Sequence, residues 1–125
     1  MKDEVREKAQ DLKVRTKVFA LRIIRLYCSL PKTTEAQVLG KQVLRSGTSV
    51  GAQYRESQRA KSDADFINKN EGSLQELDET AFWLELLAES GIVPAEKLSP
   101  LQKETDELIA IFVTIVTKVK QRNGR

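Results

Sequence analysis

Acidic side chains recur where a helical reading would align them. Glu71, Asp78 and Glu85 stand seven residues apart, and Glu76 and Glu79 stand three apart. Carboxylates at that spacing suit two chemistries, a metal site inside a helical bundle or acid–base catalysis. Bundle metal sites pair Glu-x-x-His motifs across helices, and this chain has no histidine. Acid–base work by carboxylates alone needs a pocket that no motif here indicates. The single cysteine, Cys28, has no histidine to activate it and reads as a small core or boundary residue. One cysteine also excludes a disulfide framework within the chain, and the common zinc sites lack ligands. The expectation is no enzyme, no metal and no cofactor.

The basic residues carry the other possible chemistry, contact with phosphate. Residues 12–61 hold 11 Lys and Arg against Glu35 and Glu56, whereas residues 62–107 hold 12 acids against Lys69, Lys97 and Lys103. Such asymmetry points to a polyanionic partner, or to basic and acidic helices that lie side by side and pair. Arg15, Arg22 and Arg25 on a first helix, with Lys41, Arg45, Arg55 and Arg59 on a second, are the candidate phosphate contacts. No helix-turn-helix, zinc module or aromatic RNA platform accompanies them, so backbone and shape recognition of structured RNA or duplex is expected. Arg45 and Arg55 have a second reading, pairing with Glu56, Glu76 and Glu79. Arg45 favours it, because it borders a closely packed turn.

These side chains need scaffolding, and periodicity supplies it. Val5, Ala9, Leu12, Thr16, Phe19, Ile23, Leu26 and Leu30 alternate in steps of four and three, an apolar seam that predicts a helix over about 3–29. Ile24 and Tyr27 widen it. Pro31 disfavours helical geometry at Leu30, and Thr34 with Gln37 reads as a capping box opening a helix over 35–58. Ser62 with Asp65 opens a third over 63–90. Gly91 is its left-handed cap, and Pro94 blocks its return. Ser99 as N-cap and Pro100 at the first position predict a fourth helix over 100–122, followed by a frayed basic tail from Gln121 to Arg125. Short turns and seams of this period make one all-α domain over residues 1–125, an antiparallel up-down-up-down four-helix bundle.

The second helix is unusually thin. Gly40, Gly47 and Gly51 each cost about 1 kcal/mol against alanine inside a helix, and Ser46, Ser49 and Ala52 remove more bulk. Close approach by another helix is the expected reason. At the other extreme, Phe82, Trp83, Leu86 and Leu87 on the third helix add apolar surface outside its seam. Ile109, Val113 and Val116 do the same on the fourth. These residues are the candidate oligomer interface, with another copy or a different protein as partner. The charged N-terminus lacks the apolar core of a signal peptide, and Leu108 to Val119 is too short for a bilayer. A soluble, cytoplasmic protein is expected.

The run Leu44-Arg45-Ser46-Gly47-Thr48-Ser49-Val50-Gly51-Ala52-Gln53-Tyr54-Arg55-Glu56, then Phe66-Ile67, then Ser73-Leu74-Gln75-Glu76-Leu77-Asp78-Glu79, resembles the bacterial 23S rRNA intervening-sequence family. The likeness covers roughly residues 15 to 120. Many relatives read closer to Ile-Pro-Ala-Asn-Ile-Ala-Glu-Gly where Val50 to Glu56 stands here. The resemblance implies an antiparallel four-helix bundle assembled as a ring-like homopentamer, without enzyme activity. One similar branch is the accessory factor of diversity-generating retroelements, which binds reverse transcriptase and nucleic acid. Two functions are therefore expected: a nucleic-acid-binding oligomer, or a protein-interaction scaffold or accessory subunit.

Overall fold

The computed structural model describes residues 2–124, and their order is four helices: α1 (Lys2–Ser29), α2 (Thr34–Ser57), α3 (Asp63–Glu89) and α4 (Ala95–Gly124). Val5 and Arg125 lie outside the side chains described. The chain is all-α among the described residues. Contacts set each neighbouring pair antiparallel. Tyr54 meets Ala9 while Gly40 meets Leu30, so α2 runs back along α1. Ser73 meets Val50 while Thr80 meets Ser46, so α3 runs back along α2. Lys120 meets Glu71 while Arg122 meets Asp63, so α4 runs back along α3. The result is the expected up-down-up-down bundle.

The α1 seam is borne out. Leu12, Thr16, Phe19, Ile23 and Leu30 are buried, and the core continues through Val43, Val50, Tyr54, Leu77, Leu84, Leu108 and Phe112. Ile24 departs from expectation. It is 40% exposed and does not widen the core seam, because it lies on the outward side of a helix whose buried face is already filled.

Two helix starts also differ from the sequence reading. Thr33, not Thr34, caps α2, its hydroxyl accepting from the Ala36 N–H at 3.4 Å. Gln37 is therefore too far along to complete a capping box. Its side chain instead reaches back to the Pro31 carbonyl at 2.8 Å, holding the turn. α4 begins at Ala95, so Pro100 lies inside it. The early start brings Leu98 into the core at 2% exposure beside Leu101. Proline at that point removes one helical hydrogen bond, to Glu96, close to the helix start. The expected frayed tail is helical through Gly124. Ser62 caps α3 as read, accepting from Asp65 N–H at 3.1 Å, and Gly91 takes φ 78°.

The thin face of α2 lies against α1. A methyl group at Gly47 would stand 2.7 Å from Ile23 Cγ1 and 2.9 Å from Cγ2, and one at Gly51 would stand 2.9 Å from Thr16 Oγ1. The adjacent face of α2 meets α3 through small polar groups. Ser46 and Thr80 hydroxyls lie 2.8 Å apart, and the Ser73 hydroxyl donates to the Val50 carbonyl at 2.9 Å. Buried hydroxyls are tolerable there because each one has a hydrogen-bond partner.

Tyr54 closes one end of the core, edge-on to Phe112 at 5.7 Å, with its hydroxyl donating to the Ala9 carbonyl at 3.2 Å. Burial pushes this phenol from 10.0 up to about 12. The unfolded chain then releases its proton first, so Tyr54's contribution is complete below about pH 10 and is lost as pH climbs toward 12. Chemical denaturation of wild type and Tyr54→Phe should show wild type losing about 2 kcal/mol relative to the variant between pH 9 and 12. A constant difference across that range would mean the phenol is not desolvated.

Candidate nucleic-acid interface

Three contacts fix the register of α1 on α2: Ile23 at Gly47, Thr16 at Gly51, and Ala9 at the Tyr54 hydroxyl. That register sorts the basic residues. Arg15 turns toward α4, where its Nε and Nη2 donate to Glu104 at 2.7 Å each and Nη2 also reaches Glu107 at 2.9 Å. These carboxylates hold the guanidinium pKa above its ordinary value, against a smaller desolvation that lowers it. Arg22 follows Arg15 by one heptad on the same flank, half-buried. Arg25 is exposed beyond it.

Arg45 turns toward α3. It pairs with Glu76 at 3.2 Å and with Glu79. The pairing reading therefore describes both Arg15 and Arg45. Such partly exposed pairs contribute about 0–1 kcal/mol each, so they orient the helices more than they stabilise them.

Lys41, Arg55 and Arg59 are different. Lys41, Thr48 and Arg55 repeat by seven along α2, and Arg59 follows one turn after Arg55, just beyond the helix end. All three cations are exposed, and none makes an ion pair among the described residues. Glu56, the nearest acid in sequence, is taken by Lys69 at 2.8 Å; that hydrogen bond raises the lysine pKa.

The structure adds two residues to this line. Lys13 and Lys17 flank Thr16, which faces Gly51, so both lie level with the α2 turn that carries Arg55. Lys13 precedes Tyr27 by two heptads and shares its flank, the one facing α2 at Gly40. Four cations from two helices thus converge at one end of the α1–α2 pair. On α1, sequence alone pointed to Arg15, Arg22 and Arg25. The relation of Lys13 and Lys17 to Arg55 depends on the interhelical register, which no single helix displays.

The expected oligomer surface divides. Leu87 is fully buried and Val116 is 6% exposed, so both are core residues of the chain itself. They fill the bundle because α3 and α4 each turn a broad apolar face inward. Trp83, Leu86 and Ile109 are half-buried, while Phe82 and Val113 are 50% and 47% exposed. Glu71 pairs with Lys120 on the outer side of the α3–α4 line. Phe82 lies three turns beyond Glu71, and Val113 one heptad before Lys120, so both open on that side. A second stripe was not anticipated. Val14, Val18 and Leu21, with Ile24 beside them, are 40–50% exposed on the outward face of α1.

Among the described residues no group of three or more His, Cys, Asp or Glu side chains could hold a metal ion. No helix among them is long and apolar enough to cross a membrane. No curated protein matches the chain. A solved structure from Bacteroides thetaiotaomicron, described as a protein with unknown function from the S23 ribosomal protein family, is 39% identical. It covers 83% of this chain and 96% of its own, with a TM-score of 0.79. Residues 8–114, which take in the cationic line, all of α2 and α3 and most of α1 and α4, match the family described as 23S rRNA-intervening sequence protein, and the chain belongs to that family.

Proposed function

We infer that this protein is a non-catalytic homo-oligomer that binds structured RNA or duplex nucleic acid through backbone phosphates. The observation that carries this reading is the convergence of Lys13, Lys17, Arg55 and Arg59, with no carboxylate partner among the described residues, beside arginines that do have partners. Cations left unpaired in a chain rich in acids are available to a polyanion. The family's name, with its reference to 23S rRNA, supports a nucleic-acid setting.

Assembly follows from two apolar surfaces of opposite surroundings. The α1 stripe lies beside Arg22 and Arg25, whereas Phe82 lies among Asp78, Glu79 and Glu85. α1 and α3 are diagonal in the bundle, so one copy's basic-edged stripe can seat the next copy's acid-edged patch head to tail. Heterologous contacts of this kind close into a ring when the rotation between copies permits, and the family resemblance implies a five-membered one. A ring repeats the cationic line and multiplies a weak field into avidity.

Fluorescence anisotropy with a duplex RNA over a salt series tests the binding. Affinity should fall linearly on a log–log plot, with a slope of about −0.9 for each phosphate neutralised. Absent binding at low salt, or binding indifferent to salt, overturns it. Light scattering tests the assembly: wild type should be oligomeric and Leu21→Glu should shift it toward single chains. A stable lone protomer of wild type in dilute buffer rejects the ring. A partner protein retained after nuclease treatment, with no RNA affinity, would favour the scaffold reading.

A further inference from the structure

α1 packs fully on α2, yet meets α4 only sparsely. Between α1 and α4 the bundle opens into a groove of about 610 Å³. That size lies within the range of small-molecule sites, roughly 300–1,000 Å³. Its walls include Ala9, Leu12, Phe66, Ala110, Ile111 and Ile115. Small residues on both facing helices, Ala9 and Ala110, keep it open. Arg15 crosses from α1 to Glu104 and Glu107 on α4 and bars one end. Because the helices are antiparallel, Lys8 and Lys118 both stand toward the other end, and both line the groove. Neither makes an ion pair among the described residues. Asp11 is the one unpaired acid on the lining.

We propose that the α1–α4 groove is a binding site for a small anionic amphiphile, its apolar body on Leu12, Phe66 and Ile111 and its anionic head between Lys8 and Lys118. The groove's apolar lining gains from covering, and toward its open end Lys8 and Lys118 outnumber Asp11, which leaves net positive charge for an oxyanion. The Arg15 bar limits length: about eight residues of helix line each wall, roughly 12 Å at 1.5 Å per residue. That suits a medium-chain carboxylate, with its tail against the apolar walls and its head at the open end. The site lies on the α4 flank of α1, away from the cationic line, and does not depend on nucleic-acid binding.

Isothermal titration of the full chain with decanoate, and with decyltrimethylammonium as the same tail on a cationic head, tests this. Decanoate should bind saturably at one per chain, about tenfold more tightly than the ammonium. Lys8→Glu with Lys118→Glu should reverse that preference. Ala110→Trp, at an exposed position that leaves the core untouched, should fill the groove and abolish binding of both. Unsaturable uptake, equal affinity for the two heads, or full affinity in a folded Ala110→Trp protein each overturn the proposal. So does saturable binding that Leu21→Glu removes and Ala110→Trp spares, since that places the ligand on the outer stripe of α1.

Discussion

Gly47→Leu is expected to lower the unfolding free energy by about 3 kcal/mol, read by urea denaturation, and the melting temperature by roughly 10 °C. A side chain at this position cannot avoid Ile23, because both Cγ atoms of that residue stand within 2.9 Å of where the first carbon must go. Ile23 is fully buried and β-branched, so its rotamer cannot yield. The only relief is to move α1 away from α2, which loosens Thr16 on Gly51 and Leu30 on Gly40 together. Gly72→Ala provides the control. The nearest atoms to the added methyl there belong to the amide end of Gln53, a half-exposed side chain that can rotate aside at the cost of a long 3.5 Å hydrogen bond to Glu76. That variant should be neutral or gain up to about 1 kcal/mol from helix propensity. Equal losses at the two positions would show that glycine content, not interhelical contact, sets the stability of the bundle.

Arg55→Glu combined with Arg59→Glu should weaken duplex RNA binding by about 100-fold at about 50 mM salt and flatten its salt dependence. Arg45→Gln should leave affinity within about threefold, because Glu76 and Glu79 already neutralise that guanidinium. Arg55→Gln changes net charge by the same amount as Arg45→Gln and should weaken binding more, so that pair separates position from net charge. Lys13→Glu and Lys17→Glu should act like the Arg55 pair, although they sit on a different helix. If Arg45→Gln does the greater damage, the phosphate surface lies on the α2–α3 side and the assignment here is wrong.

Helix number, order and pairing were legible in the chain because a four-three apolar rhythm survives in every helix. The α1 seam from Leu12 to Leu30 is buried as spaced, and the thin face of α2 does receive a neighbour. Reading the start of α4 failed for a physical reason. Ser99-Pro100 has the local chemistry of a helix entry, but burial of Leu98 outweighs it and draws the helix back to Ala95. The site was legible only in part. Arg55 and Arg59 stand out in one dimension, whereas Lys13 and Lys17 join them through a register set by Gly47 and Gly51. Exposed Val14, Val18 and Leu21 were hidden by the stronger apolar seam on the opposite side of the same helix.

The sparse seam between α1 and α4 sets the order in which the molecule breathes. α2 and α3 each have two packed neighbours, whereas α1 relies on α2 and the Arg15 clamp. Its amide protons before Leu12 should trade with deuterium through partial openings that cost well under the global unfolding energy. Those of α2 between Val43 and Val50 should wait for the whole bundle to come apart.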